Sequence, residues 1–229
     1  MYSNLIILTQ SAIPILPLAL VKEQIRQDAT VNTIEDMIIG VYLASAAKTC
    51  ESYLKLTLAT KQYKLIMDYF PGSTTVGTGH PGLNYSARNI GGLFTMDSFR
   101  LPMGPLQTVD NISYNSVRTG MTTVNPSVYA VVPGLIGRVG SAYGQIFPFT
   151  YGWSIGQIGS VAITFTSGYG VPDPVTGLLN VMPPNITAAI LLLTSHLYKN
   201  REASAEGSMS VIPFGVKELL DVASPGFYR

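Results

Sequence analysis

The side chains best suited to proton transfer, nucleophilic attack or metal ligation are scarce in this sequence: two histidines, His80 and His196, and one cysteine, Cys50. No acid or cysteine stands near either histidine at metal-ligand spacing, and no Gly-x-Ser-x-Gly elbow is present to expose a serine. The glycines of Thr78–Gly82 and Gly91–Gly92 do not join a strand to a helix opening on Lys-Ser or Lys-Thr, so a phosphate-cradling loop is not supported. Cys50, with Ala46 and Ala47 close by, reads as a small buried hydrophobe rather than a nucleophile. Standing alone, it excludes an internal disulfide and a multi-cysteine metal site. His196 follows the apolar Leu191–Leu193 cluster and reads as a packed or interfacial histidine. Asp68, Asp97 and Asp110 are nearly the only carboxylates of the central region, and nothing in their spacing selects a pair. The expectation is a non-enzymatic protein with no cofactor and no metal.

Aromatic chemistry is better supplied. Among thirteen tyrosines, Tyr143 and Tyr151 stand with Phe147, Phe149 and Trp153 in "YGQIFPFTYGW". Such residues anchor protein interfaces or stack on sugars and bases. No Lys or Arg is interleaved, so stacking on nucleic acid is the weakest of these readings. Tyr143, Phe147, Tyr151 and Trp153 are therefore candidate partner contacts, with filling of a β-module's edge as the plain alternative.

Charge sets the next bound. Only 12% of residues are Asp, Glu, Lys or Arg, about half of the roughly 25% typical of soluble domains. Hydrophobic content is an ordinary 47%, so uncharged polar residues fill the gap. Charge is depleted at the centres of protein interfaces, and a chain of this balance suits a surface covered by other subunits. A neutral β-rich domain with an uncharged polar face is the other reading. The net charge of +1 gives no general drive to coat nucleic acid. The stretch Leu5–Val21 is apolar but broken by Gln10, Ser11, Pro14 and Pro17, so neither a signal peptide nor a membrane span is expected. We read residues 1–16 as an N-terminal arm.

Helical periodicity lies towards the two ends of the chain. After Pro17, Leu18, Val21 and Ile25 fall on one face of a short helix. A long helix is expected over 33–56, with Thr33 as N-cap, Glu35 and Asp36 in its first turn, and a stripe through Ile39, Leu43, Ala46, Cys50 and Tyr53. A third, over 185–202, follows Pro183-Pro184 and carries Ile186, Ile190, Leu193 and Leu197. A final short helix is expected over 214–222, stopped by Pro225 and Gly226. Between them the period becomes two: Tyr63, Leu65, Met67 and Tyr69 share one face, as do Val161, Ile163 and Phe165. Weaker strands are expected at 99–101, 106–114, 123–132 and 138–143. The fold class is α+β: a helical core over 17–57 and 183–209, an inserted antiparallel β-module over 58–182, and a tail over 210–229. Residues 72–98, with six glycines in 27 residues, exceed an ordinary connection.

The order of segments carries a resemblance. "PLALVKEQIRQD" (17–28) resembles the opening "PLTLAEAKxHLR" helix of the head–tail connector (adaptor) family of tailed bacteriophages, in its long form with an inserted β-domain. The following helix is similar to that family's acidic–helical block ending in "FP", at Glu35, Asp36, Ile39, Ala46, Glu51, Leu58, Gln62, Tyr63, Leu65, Phe70 and Pro71. "FRLPMGPLQTVDNISY" (99–114) resembles "IxLPxxPLxSVxSIxY", and "VAITFTSGYG" (161–170) resembles "vxVxFxAGYG". "MPPNITAAILLLTSHLYKNRE" (182–202) is similar to "vPxxIxxAIllLvaHxYenRE", and "IPFGVKELLDVASPGFYR" to the closing "lPxgvxxLLxpyR". The blocks keep the family's order across 17–229. The glycine-rich 72–98 segment and the first sixteen residues depart from it.

The resemblance implies a structural virion protein, assembled in the host cytoplasm. It would form a ring, usually of twelve subunits, between portal and tail, extend the DNA channel, and offer a platform to a tail-side neck, terminator or tail protein. DNA would pass without specific binding, and no membrane is involved. It further implies Lys199, Arg201 and Glu202 as candidate contacts between neighbours. The tail, with Phe214, Leu219, Leu220, Phe227, Tyr228 and Arg229, becomes a candidate portal-docking arm. Alternatives are another neck or tail-completion protein, or a carbohydrate-binding β-module using the aromatics.

Overall fold

The computed structural model describes residues 3–10, 14–28, 34–68, 70, 99–116, 120–132, 143–148, 161–170, 182–201 and 214–224. They fall into two compact units: a β unit (1–10, 61–135 and 143–167) and a helical unit (11–60, 136–142 and 168–229). Helices and antiparallel sheet together make the fold α+β, as expected.

In the β unit, strands β1 (Ser3–Gln10), β2 (Lys61–Met67), β3 (Phe99–Arg100), β4 (Leu106–Ser116), β5 (Gly120–Thr123), β6 (Tyr129–Val132), β7 (Gln145–Pro148) and β8 (Val161–Ser167) form two antiparallel sheets. One has the order β1-β2-β8-β4-β5, the other β3-β7-β6. The two-residue period places Tyr63, Leu65 and Met67 opposite Phe165, Ile163 and Val161, all buried. The Tyr63 and Phe165 rings stack at 5.5 Å. Ile112, Leu101 and Leu106 join them, with Tyr129 and Ile146 of the three-stranded sheet, in one apolar cluster.

Three strand expectations change. The apolar N-terminal stretch, read as an arm, supplies β1, which pairs along its length with β2 and carries a bulge between Ile7 and Thr9. The strand expected over 123–132 is two strands. Pro126 cannot donate to a ladder, and Asn125 accepts the Ser127 N–H at 3.0 Å, so a 3-10 turn interrupts them. Of the strand expected at 138–143 only Tyr143 lies among the described residues, and the strand there is β7, just after it.

The helical unit contains α1 (Leu18–Ile25), α2 (Glu35–Leu54), α3 (Pro184–Lys199) and α4 (Phe214–Ala223). Pro17 and Pro183 precede α1 and α3 in extended conformation, where a missing N–H costs nothing. Thr33 lies outside the described residues, and α2 is flanked at its start by Ile34. Ile39, Leu43, Ala46, Ala47, Cys50 and Leu54 are the buried face of α2, and Ile186, Ala189, Ile190 and Leu193 that of α3. α3 packs against the other three helices.

Two positions marked by the resemblance acquire physical roles. Buried Glu51 accepts the Leu58 N–H at 3.0 Å, fixing the chain as it leaves α2. After β8, the Tyr169 N–H donates to Leu58 O at 2.9 Å and the Thr60 N–H to Gly170 O at 3.2 Å. Gly168 sits at φ +131°, and a Cβ there would lie 2.8 Å from the Ala59 carbonyl. Gly168→Ala is expected to cost about 1–3 kcal/mol or more from the backbone conformation alone. Chemical denaturation checks this; an unchanged midpoint would mean the turn is remade.

Candidate assembly surface

α2 carries apolar residues on both sides. The stripe facing α3 is accounted for by packing; a second one runs along the opposite face. Ile34 is 91% exposed, Met37 80%, Ile38 41% and Val41 66%, and Ala44 and Ser45 continue the row. The spacing of three and four residues puts these side chains in one band on the helix. A helix apolar on all sides is ordinarily buried on all sides. The buried stripe was readable from the sequence; this outer one was missed, although Ile34, Met37, Ile38 and Val41 carry the same periodicity one face away. Fully burying four such side chains contributes about 6–12 kcal/mol, while association costs about 4–15 kcal/mol. The stripe by itself is close to break-even for a pair of molecules.

Beside its N-terminal end lies a polar network drawn from α1's exit, α2 and the end of α3. The Tyr198 hydroxyl donates to Glu35 Oε2 at 2.6 Å, and Gln27 donates to the same oxygen at 2.7 Å and to the Tyr198 hydroxyl. Arg201 stands 3.4 Å from Glu35 Oε1 and lies over the Tyr198 ring at 4.2 Å. The Tyr198 hydrogen bond, then that from Gln27, hold the Glu35 carboxyl below its ordinary range, and Glu35 in turn pushes Tyr198 up. With a folded-state pKa below the unfolded one, the ionised carboxylate stabilises above its ordinary value of 4.5. That contribution is lost as pH falls through the lowered pKa. A carbon-detected titration should place the Glu35 midpoint below 4.5, and Tyr198→Phe should raise it; a midpoint at or above the ordinary value would break the network's assignment.

The other candidates sort by burial. Of the interface candidates, Arg201 already has a partner in its own chain, Lys199 is exposed at the end of α3, and Glu202 lies outside the described residues. Leu220 of the tail is fully buried and Leu219 half-buried in α4, which packs on α3, so Leu220 belongs to the core and is not available for docking. Phe214 opens that helix; Phe227, Tyr228 and Arg229 lie outside the described residues. Tyr143 is buried, and that burial raises its hydroxyl's pKa. Phe147 is partly buried in β7; Tyr151 and Trp153 are outside the described residues.

Asp110 is held on the exposed face of the five-stranded sheet by Gln62, Thr108 and Thr166 at 2.8–2.9 Å. Burial pushes the Cys50 thiol up to about 11, leaving it protonated and unreactive at neutral pH. Half-buried His196 pairs through Nδ1 with the Asn200 amide at 3.2 Å; His80 and Asp97 are outside the described residues. No group of three metal-ligating side chains occurs among the described residues.

Solved structures supply the comparison. The chain is similar to one from the virion of a native gene transfer agent particle, with TM-score 0.68 and 19% identity over 98% of this chain and 97% of that one. A second match comes from the neck of the empty particle computed with C6 symmetry: TM-score 0.67, 21% identity, 100% of this chain and 98% of that one. A third comes from the neck of the native particle computed with C12 symmetry: TM-score 0.62, 20% identity, the same coverage. The fold is that of phage-like particle chains. No family model and no curated protein matches the sequence.

Proposed function

We propose that this chain is a structural, non-enzymatic subunit of the neck of a phage-like particle. Copies assemble side by side into a ring between portal and tail, extend the DNA channel and present a platform to the next tail-side protein. The observation that carries this reading is end-to-end likeness to chains of two neck structures, with helical and β parts both included in the match. Low charge and the uncovered outer stripe of α2 agree with a subunit whose surface is completed by neighbours. Ring closure gives each subunit two neighbour contacts, which lifts a near break-even contact into a stable assembly. The near-neutral net charge of +1 gives little grip on passing DNA.

Portal docking, in this reading, falls to the chain end beyond α4, because α4 itself is packed in the helical unit. Quantitative mass spectrometry of purified particles tests the assignment. The chain should be present in a fixed copy number that is a multiple of six, matching the symmetries of the similar necks. Absence from particles would reject it.

A further inference from the structure

We propose that the outer stripe of α2 is the surface on which a second copy of this chain packs, and that it meets a different face of that copy. This rests on the neck-subunit reading and adds which residues make the contact. From Ile34 to Ser45 the outer face carries Met37, Ile38, Val41 and Ala44 and no charge. At 1.5 Å per residue that is a strip of about 16 Å, narrowing to Ala44 and Ser45, where small side chains let another backbone approach.

Other occupants fit less well. Glu35 beside the stripe is paired with Arg201, Asp36 is turned inward to Lys22, and Lys48 is the single cation of α2, far short of the basic border an anionic membrane surface or nucleic acid calls for. The stripe is aliphatic from Ile34 to Ala44. It resembles a core cut in half, as permanent contacts between like subunits do. A stripe-to-stripe contact would be two-fold and would close at a pair. A ring with six- or twelve-fold symmetry needs the stripe to meet a different patch on each neighbour.

Photo-crosslinking in assembled particles decides the matter. p-Benzoylphenylalanine is placed at Met37 or at Val41, both exposed, so the fold is undisturbed; thermal melting confirms this. Irradiated particles run on a denaturing gel should give a ladder of dimers, trimers and higher multimers of this chain, because each copy links to the next. A product that stops at dimer would overturn the different-face contact. An adduct to another protein, or none, would overturn the second copy as occupant while leaving the neck assignment standing. Failure of the unsubstituted chain to enter particles at all would sink both. Val41→Glu gives an independent reading: the purified protein should melt as the parent does, while its incorporation falls by roughly tenfold or more. Normal incorporation would contradict the proposal.

Discussion

Replacing Asp36 by alanine is expected to destabilise the helical unit by about 3–5 kcal/mol. Asp36, in the first turn of α2, accepts from Lys22 Nζ of α1 at 2.8 Å, and the Lys22 side chain is only 2% exposed against 15% for Asp36. Removing the carboxylate leaves an ammonium in a place water reaches poorly, and desolvation then dominates. The reverse change, Lys22→Met, should cost less, since Asp36 is the better solvated partner and stays favourable at a helix N-terminus. The double variant Lys22→Met/Asp36→Ala should recover most of the loss, because a buried ion pair and an apolar replacement are nearly equivalent in net free energy. A double-mutant cycle by urea denaturation reads all three. Simple additivity of the two single changes would show that the pair is not coupled.

Leu220→Ala should cost a comparable amount, about 2–5 kcal/mol, because the side chain is fully buried where α4 packs on α3. Val216 is buried with it, and the Tyr53 hydroxyl donates to Asp221 at 2.5 Å, tying α4 to α2 as well. Deleting residues 210–229 would therefore uncover the α3 stripe, and loss of portal binding in that variant would report a damaged fold. Deleting only residues 225–229 is the cleaner experiment. It should leave the melting temperature within a degree or two and abolish portal docking if the chain end makes that contact. A full-stability, full-docking result would remove the tail from the proposed function.

What could be read in the sequence followed the strength of the periodic signal. β2 and β8 were legible because Tyr63, Leu65 and Met67 recur at every second residue, as do Val161, Ile163 and Phe165. α2 was legible within two residues at each end and α3 within three, close to the ordinary play of helix termini. β1 was not, because Leu5–Leu8 is continuously apolar at the sheet's edge and a bulge after Ile7 breaks the alternation. β7 was hidden inside an aromatic Gly/Pro segment whose composition suggested a surface, while folding buries Tyr143 and Ile146. At the candidate surface, Arg201 was singled out for its charge, but its partner Glu35 is distant in sequence and only the helix packing joins them. The outer stripe of α2 was missed for a different reason. Once one stripe explains a helix's core, a second at the same spacing has no visible purpose until the structure shows it uncovered.

The most direct test is a reconstruction of the neck of purified particles, with the density traced for this chain. The account predicts a closed ring of identical copies between head and tail, with Met37 and Val41 of each copy covered by the next. Copies found elsewhere in the particle, or present without forming a ring, would contradict it.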